Sequence, residues 1–266
     1  MKRNAQVCIP VVAALVACLP LLCPAQSPEK RGLEIAQEAD RRYCGFKDYT
    51  ANLRMILRNS EGQTSERQLR VRALETEEGD TQSLCIFDSP RDVKGTILLT
   101  HTRQTGDDYQ WLYLPALKRV KRIAAQNKSG SFMGSEFAYE DIATQALEKY
   151  TYKWLRDELY DGNACYVIER YPKDKRNSGY TKEVVWLDKQ EYRTLKVDYY
   201  DRKQSLLKTL VFEGYRRHRD EFWRAREMNV VNHQTGKSSR LIWSDFAFRT
   251  GLKEGEFNRH SLTRIR

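Results

Sequence analysis

The sequence predicts a mainly β protein with a few helices, built on one long antiparallel sheet. Two observations carry this prediction. Apolar and polar residues alternate with a period of two along much of the chain, which is typical of half-buried strands. Short turn sequences such as "DKQE", "DRKQS" and "HQTGKS" separate the later runs, and turns this short join strands that pair antiparallel. A sheet of so many strands is expected to curl or to close.

The predicted domain begins with a helix at Ser27-Pro28-Glu29. The Ser27 hydroxyl can cap free amides, Pro28 suits the first helical position, and Glu29 favours the positive end of the helix dipole. The apolar positions that follow at helical spacing carry mostly small side chains. The helix should therefore present a narrow apolar stripe, formed by Ile35, Ala36, Ala39 and Tyr43.

Strand-like alternation follows this helix. The string "YTANLRMILR" places one set of apolar residues on a single side of a half-buried strand: Tyr49, Ala51, Leu53, Met55 and Leu57. Further strands are predicted at "RQLRVRALE", "SLCIFDS", "GTILLTHT" and "DYQWLYL". After residue 150 they continue at "CYVIERY", "KEVVWLD", "RTLKVDYYD", "LLKTLVFEGY", "FWRAREMNVVN" and "SRLIWSDFAF".

A second helix is predicted near the middle of the chain. Its apolar residues recur at helical spacing: Tyr139, Ile142, Ala143, Ala146, Leu147 and Tyr150. Ser135 is placed to cap it, and acidic side chains stand where the positive end of the dipole favours them. The Gly/Ser-rich string "GSFMGSEFAYED", residues 130–141, is therefore expected to form a hinge between a strand and this helix.

The first 25 residues have the order of a secretory signal peptide. Lys2 and Arg3 precede an apolar stretch, prolines interrupt that stretch, and small residues lead to Ala25. We expect cleavage after Ala25. The alternative is that "LVAC" acts as a lipobox and leaves Cys18 lipidated. No linker or internal repeat divides the remainder, so residues 26–266 are predicted to form a single domain.

The sequence offers no recognisable catalytic or metal-binding motif. The mature cysteines, Cys44, Cys85 and Cys165, allow at most one disulfide and lack metal-ligand spacing. The histidines are scattered singly at His101, His218, His233 and His260. Glu136 stands where a phosphate-binding loop would need its lysine, and no G-x-S-x-G elbow occurs. We therefore expect no catalytic residue, no metal and no cofactor.

A dense basic run stands before the hinge string, in a chain of formal net charge +10. It consists of Lys118, Arg119, Lys121 and Arg122. Basic grooves with stacking aromatics bind single-stranded nucleic acid, but a secreted protein rarely meets that ligand. Attraction to anionic lipid headgroups is a second interpretation. The preferred one is a charged strand edge that keeps the sheet from pairing with its neighbours.

The sequence contains more large apolar side chains than two helices with mostly small residues can bury against a curved sheet. The residues concerned are Leu53, Met55, Leu57, Trp111, Tyr113, Phe132, Met133 and Phe137. Each of these residues, considered alone, is explained as an ordinary core residue. Taken together, they predict an apolar groove with a movable cover, a kind of site that holds lipid tails.

Several strings resemble the outer membrane lipoprotein-sorting protein family, the relatives of the periplasmic carrier LolA. They are "DVKGTILLTHT", "DYQWLYLPALKRVKRIAAQNKSGSFMGSEFAYEDI", "YTYKWL", "SGYTKEVVWLD" and "NHQTGKSSRLIWSDF". The resemblance runs from roughly Ala39 to Leu262, and its most specific block is Trp111 to Asp141. This chain is longer than the usual sorting carriers, and no lid-closing arginine can be matched to one position.

The resemblance implies an unclosed antiparallel β-barrel, or half-barrel, with helices covering its concave face. The cavity would shelter acyl chains of a lipid or lipoprotein on their way between the inner and outer membranes. The branch that this chain is similar to implies an RND/MMPL-type exporter as partner. No catalytic residue or cofactor is carried over, and we expect a monomer in the periplasm.

With the resemblance, the hinge string acquires a role. Phe132 and Met133 would sit on a flap at the cavity mouth, with Gly130 and Gly134 as its hinge. The basic run would be a docking face for a membrane or exporter. Two alternatives stay open: an adaptor that binds protein rather than lipid, and a lipid hydrolase that uses His101.

Overall fold

The structure is a computed structural model that describes residues 26–265. The predicted signal peptide and the lipobox at Cys18 lie outside these residues. Thirteen strands form one antiparallel sheet whose order begins at one end with β6 and finishes at the other with β7. These two end strands do not pair with each other, so the sheet curves without closing. The prediction of an open half-barrel with few helices is confirmed.

Each half of the sheet is a meander of antiparallel strands, interrupted in the second half by a separate hairpin. The first half contains β1 (Asp48–Arg58), β2 (Thr64–Glu75), β3 (Thr81–Ser89), β4 (Ile97–Thr102), β5 (Tyr109–Leu114) and β6 (Arg119–Ile123). The second half contains β7 (Tyr150–Tyr160), β8 (Asn163–Pro172), β9 (Lys182–Asp188), β10 (Thr194–Tyr200), β11 (Leu206–Glu213), β14 (Glu227–Asn232) and β15 (Ser238–Phe248). Pairing of β1 with β15 joins the halves, and β12 (Arg216–His218) and β13 (Phe222–Arg224) form a separate hairpin.

The long helix α1 (Pro28–Tyr43) begins at the predicted cap. The amide of Lys30 donates to Ser27 Oγ at 3.2 Å, and Pro28 is the first helical residue. Ile35 and Ala36 are buried against the concave face of the sheet. Gly32 lets the helix approach the backbone of β7, because a Cβ at this position would lie 2.5 Å from the nitrogen of Trp154.

The second predicted helix is wrong in length and in its cap. Only one turn, α2 (Tyr139–Ile142), is α-helical, Ala143 already has extended backbone angles, and Leu147–Lys149 form a separate 3-10 turn. Ser135 Oγ donates to the carbonyl of Phe132 at 2.7 Å instead of capping the helix. The Asp141 carboxylate accepts the amide of Ala138 at 2.7 Å and takes the capping role. Tertiary contacts of the acidic side chains override the helical spacing here.

The two faces of the sheet carry separate apolar clusters. On the concave side, residues from both halves pack together, among them Met55 of β1 and Val185 of β9. On the convex side of β3–β5, the C-terminal segment covers the sheet, with Phe257 and Leu262 packed against Leu99. The concave cluster is therefore where the helix, the curved sheet and the middle of the chain meet.

Candidate functional site

The middle of the chain crosses the opening of the half-barrel. We call residues 124–149, which connect β6 to β7 at the opposite end of the sheet, the crossover segment. At its centre is a tight turn, residues 131–138, which we call the plug turn. Ser131 and Ala138 form a β-bridge, and the amide of Phe132 donates to the carbonyl of Phe137 at 2.7 Å. The predicted hinge is thus a closed turn held by its own backbone.

The plug turn inserts two phenylalanines into the concave cluster. Phe132 and Phe137 are each 1% exposed. The Phe132 ring centroid lies 5.8 Å from that of Phe87 on β3 and 5.7 Å from that of Tyr139. Met133 is only partly buried, and the guanidinium of Arg67 donates to its carbonyl. In this structure the turn plugs the concave face.

The two predicted hinge glycines differ. Gly134 has a φ of +79°, a left-handed angle that favours glycine, and Met133 beside it has a φ of +51°. Gly130 does not have a positive φ. A Cβ on Gly130 would lie 3.1 Å from the carbonyl oxygen of Asn127, so close packing accounts for this glycine.

The structure divides the eight predicted lining residues between the two faces. Six belong to or pack against the concave cluster: Leu53, Met55, Leu57, Phe132, Met133 and Phe137. Trp111 and Tyr113 instead pack on the convex side, in the cluster covered by Phe257 and Leu262. The reason is the alternation of β5, which turns Leu112 towards the concave face and its neighbours away.

Two cavities flank the crossover segment in the described part of the chain, and both are rich in polar groups. One, of about 270 Å³, lies where the segment passes between β5 and β7; its walls include Gln110, Lys128, Glu140 and Tyr150. The other, of about 430 Å³, lies between the plug turn and β11 and includes Lys208. The plug turn and α1 pack against the apolar part of the concave face.

A buried ion pair fastens the crossover segment to the sheet. The ammonium of Lys208 on β11 pairs with the carboxylate of Asp141, and both side chains are 4% exposed. Lys208 Nζ also donates to the carbonyl of Glu136 at 2.9 Å. The hydroxyl of Tyr180 donates to the other oxygen of Asp141 at 2.8 Å. We call Lys208, Asp141 and Tyr180 the latch.

Two further acidic side chains of the segment are held by the sheet and its loops. Glu136 accepts from the side-chain amide of Asn232 at 2.7 Å. Glu140 accepts from the amide of Gly179 at 2.9 Å and from the hydroxyl of Ser178 at 3.0 Å. Burial, and secondarily the neighbouring carboxylate of Asp141, raises the pKa of Glu140 to about 7, against the lowering effect of these hydrogen bonds.

Sequence reasoning missed the latch, although a signal for it exists. In "LLKTLVFE" the lysine stands two residues before Leu210, which faces the concave cluster. Alternation therefore turns Lys208 towards the same buried face, where a lysine needs a partner. The partner could not be predicted, because Asp141 lies far away in sequence and in irregular structure.

The basic run lies at one of the two ends of the sheet, where Lys118 directly precedes β6 and the other three basic residues belong to it. Lys118, Arg119, Lys121 and Arg122 are exposed, and none takes part in the ion pairs found between residues 26 and 265. Exposed apolar side chains accompany them: Leu117 is 62% exposed and Val120 is 38% exposed. We call these six residues the basic edge.

His101 is the residue on which the hydrolase alternative depends. His101 Nε2 lies 2.7 Å from the backbone carbonyl of Phe257, and its ring packs edge-on against Trp111. No group of three or more His, Cys, Asp or Glu side chains in residues 26–265 is arranged to hold a metal ion. Cys44, Cys85 and Cys165 are all unpaired. Within the same range, no helix is long and apolar enough to cross a membrane.

Several known proteins are similar to this chain in sequence and in structure. A family profile described as "Uncharacterized protein" matches residues 79–264. A crystal structure named for an outer membrane lipoprotein-sorting protein domain, from Vibrio parahaemolyticus, is 54% identical, with a TM-score of 0.87. A DUF1329 family protein from Desulfovibrio piger is 31% identical, with a TM-score of 0.85. Each alignment covers 89% of this chain and 100% of the other.

A more distant structure agrees in fold. A LolA superfamily protein from Nitrosomonas europaea is 21% identical, with a TM-score of 0.70, over 86% of this chain and 98% of the other. At 21% identity, the structural similarity is evidence for the fold and not for the function. No curated protein sequence matches the chain.

Proposed function

Because the chain belongs to the outer membrane lipoprotein-sorting family with a LolA-like fold, we propose that it is a carrier of acyl chains. The acyl chains of a lipid or lipoprotein would lie on the concave face of the sheet, where the plug turn now lies. The observation that carries this proposal is the position of Phe132 and Phe137. They are buried in the core, yet they belong to a connection between strands rather than to the sheet itself.

Because of this position, an acyl chain can replace the plug turn without a rearrangement of the sheet. The plug turn can leave the concave face without breaking a strand pair of the thirteen-stranded sheet. The buried aromatic surface that is lost can be replaced by acyl surface, at about 25 cal/mol per Å² in either case. Because the two terms are similar in size, loading and release can both proceed. The latch and the contacts of Glu136 and Glu140 favour the closed form.

The finer parts of the proposal concern location and partners. We propose that residues 1–25 are removed as a signal peptide and that the mature monomer works in the periplasm, between the inner and outer membranes. An RND/MMPL-type exporter of the inner membrane would be the partner that passes on the cargo. These points rest on the leader sequence and on the branch that the chain resembles.

The basic edge supports contact with a membrane during this transfer. Its four cations, free of ion pairs to described residues, would be attracted to anionic headgroups with about 1 kcal/mol per basic residue near the surface. Leu117 and Val120 can enter the headgroup region beside them. We therefore propose that the basic edge faces an anionic membrane surface.

The test of the carrier proposal is native mass spectrometry of the mature protein, purified from a periplasmic extract without detergent, with lipid extraction of the same sample. We expect discrete mass adducts that resolve into one lipid class. A protein without adducts, which also fails to bind a fluorescent fatty acid, would contradict the proposal. The filled concave face would then favour the alternative, a periplasmic adaptor of a transporter that binds protein rather than lipid.

A further inference from the structure

Lys208 is a buried cation whose polar partners all belong to the crossover segment. It is 3% exposed, on the concave face of β11. Its ammonium reaches the carboxylate of Asp141 and the carbonyl of Glu136, and it lies 5.2 and 5.0 Å from the ring centroids of Tyr180 and Tyr199. Movement of the segment would leave the ammonium without a hydrogen-bonded partner, beside the two rings and at longer range from the carboxylate of Glu183, which already pairs with Arg170.

The other buried ion pair on this face behaves differently. Arg170 on β8 pairs with Glu183 on the neighbouring strand β9, and Glu183 is 1% exposed. Both partners belong to the sheet, so this pair stays intact and neutral when the crossover segment moves. Opening the site therefore removes the negative partner of Lys208 and leaves the positive charge on the wall.

An ammonium left in such a place requires a new anionic partner. Removing one member of a buried pair is strongly destabilising, because the remaining charge is uncompensated. An uncharged acyl chain cannot supply the missing partner. A phosphate or carboxylate group attached to the acyl chain can, through a charge-assisted hydrogen bond.

The cavity of about 430 Å³ provides the space for such a group. Lys208 lies on its wall, and Arg202 and Lys203 contribute to its rim. The Arg202 guanidinium donates to the backbone carbonyls of Arg176 and Ser178, and neither rim cation has a carboxylate partner within 4.0 Å among the described residues. Asp201 beside them accepts from the amides of Lys203 and Ser205 within its own turn.

We propose that Lys208 makes the carrier select lipids with an anionic headgroup, whose phosphate or carboxylate takes the place of Asp141 beside the ammonium. The inference rests on the proposed carrier function and specifies the class of cargo. The acyl chains would occupy the space of Phe132 and Phe137, and the headgroup would lie in the cavity next to β11. In the closed form, the carboxylate of Asp141 then occupies the position beside the ammonium that the headgroup takes in the loaded form.

Three variants separate the roles of the two charges. Asp141→Asn removes the carboxylate but keeps the ammonium and an oxygen that can accept from Tyr180. Lys208→Met removes the ammonium with little change in volume. The double variant Asp141→Asn/Lys208→Met removes both charges and so avoids a buried uncompensated charge, which keeps the comparison valid if Lys208→Met alone does not fold.

The ligands are lysophosphatidylglycerol and the uncharged monoacylglycerol with identical acyl chains, titrated below their micelle concentrations. We expect the wild-type protein and Asp141→Asn to prefer the anionic lipid by at least about tenfold, as one charged hydrogen bond allows. Lys208→Met and the double variant should bind both lipids equally. Retention of the anionic preference in the double variant would overturn the inference while leaving the carrier function standing.

Two further outcomes are informative. Inorganic phosphate serves as a headgroup without acyl chains. If phosphate alone binds with the affinity of the anionic lipid, and Lys208→Met abolishes this binding, the residue belongs to a free-anion site and its assignment to lipid is wrong. If no protein binds either lipid, the carrier function fails and the inference fails with it.

Discussion

The amide of Gly179 donates to the carboxylate of Glu140 at 2.9 Å, and this contact ties the crossover segment to the loop before β9. The approach is so close that a Cβ on residue 179 would lie 2.9 Å from Glu140 Oε1 and 2.8 Å from Ser129 Cβ. The carboxylate is therefore enclosed by glycine backbone on one side and by the segment on the other. Its protonation should influence how firmly the segment is held.

The first prediction concerns pH. The pKa of Glu140 is raised to about 7 from the ordinary value of 4.5, so the folded protein binds this proton more tightly than the unfolded chain. The stabilisation is fully present below about pH 4.5 and is lost as the pH rises to about 7. The loss should be on the order of 3 kcal/mol. Thermal unfolding measured across this range should show a steeper fall for the wild-type protein than for Glu140→Gln.

Several groups around Glu140 affect its pKa. Asp141 raises its pKa, while Gly179, Ser178 and Lys128 lower it. Carboxylates that do not interact with Glu140 contribute equally to both curves, so the difference between the two curves reports on Glu140 and its immediate neighbours. If the curves run parallel from pH 4.5 to 7, the carboxylate does not titrate in that window.

The second prediction concerns the plug turn. Phe132→Ala should lower the free energy of unfolding by about 3–5 kcal/mol, because a fully buried ring is replaced by a cavity. Met133→Ala, next to it but only partly buried, should produce a smaller loss. Urea denaturation with and without a fluorescent fatty acid measures both effects. If the carrier proposal is correct, the ligand restores more stability to Phe132→Ala than to the wild-type protein.

The control for this experiment is a core residue outside the plug turn. Leu262→Ala, in the C-terminal segment on the convex face, should also cost about 2–5 kcal/mol, since Leu262 is 0% exposed. Fatty acid should stabilise this variant no more than the wild-type protein. Equal rescue of both variants would mean that the ligand does not enter the space of the plug turn.

The third prediction concerns the basic edge. Replacing Lys118, Arg119, Lys121 and Arg122 with Glu should reduce binding to anionic liposomes by at least about tenfold and leave the unfolding temperature almost unchanged. The side chains are exposed and have no ion-pair partners among the described residues, so the folding energy that depends on them is limited to weak surface contacts such as that of Arg122 over the ring of Tyr109. Co-sedimentation with phosphatidylglycerol and phosphatidylcholine vesicles measures the effect.

A matched reversal elsewhere shows whether location matters. A second set of exposed basic residues lies around the β12–β13 hairpin and in the turn before β15: Arg216, Arg217, Arg219 and Lys237. Their reversal changes the net charge by the same amount and should affect vesicle binding less. If both variants lost vesicle binding equally, the basic edge would act only through its contribution to the net charge of the protein.

Much of the fold could be predicted from the sequence because strand alternation is a local signal. β1 follows the predicted pattern, with Ala51, Leu53 and Met55 buried. The assignment of faces could not be predicted wherever both sides of a strand are apolar. In β5, Trp111 and Tyr113 form one apolar side and Leu112 and Leu114 the other, so periodicity alone does not identify the concave side.

The candidate site was harder to predict because it depends on contacts between distant parts of the chain. The string around Phe132 was recognisable as unusual, but its burial depends on the curvature of the whole sheet. The second helix fails for the same reason, since Asp141 pairs with a lysine on β11 and Glu140 with the loop before β9. Helical spacing carries no information about such partners.

The close approach of Gly32 to Trp154 has a consequence for the behaviour of the molecule at high concentration. An open sheet has two free ends, and each is a template on which another chain could polymerise. At β7 the helix α1 lies directly against the strand backbone and obstructs an incoming strand. At β6 mutual repulsion between the cations of neighbouring molecules has the same effect. We expect steric hindrance at one end and electrostatic repulsion at the other to disfavour edge-to-edge pairing between half-barrels.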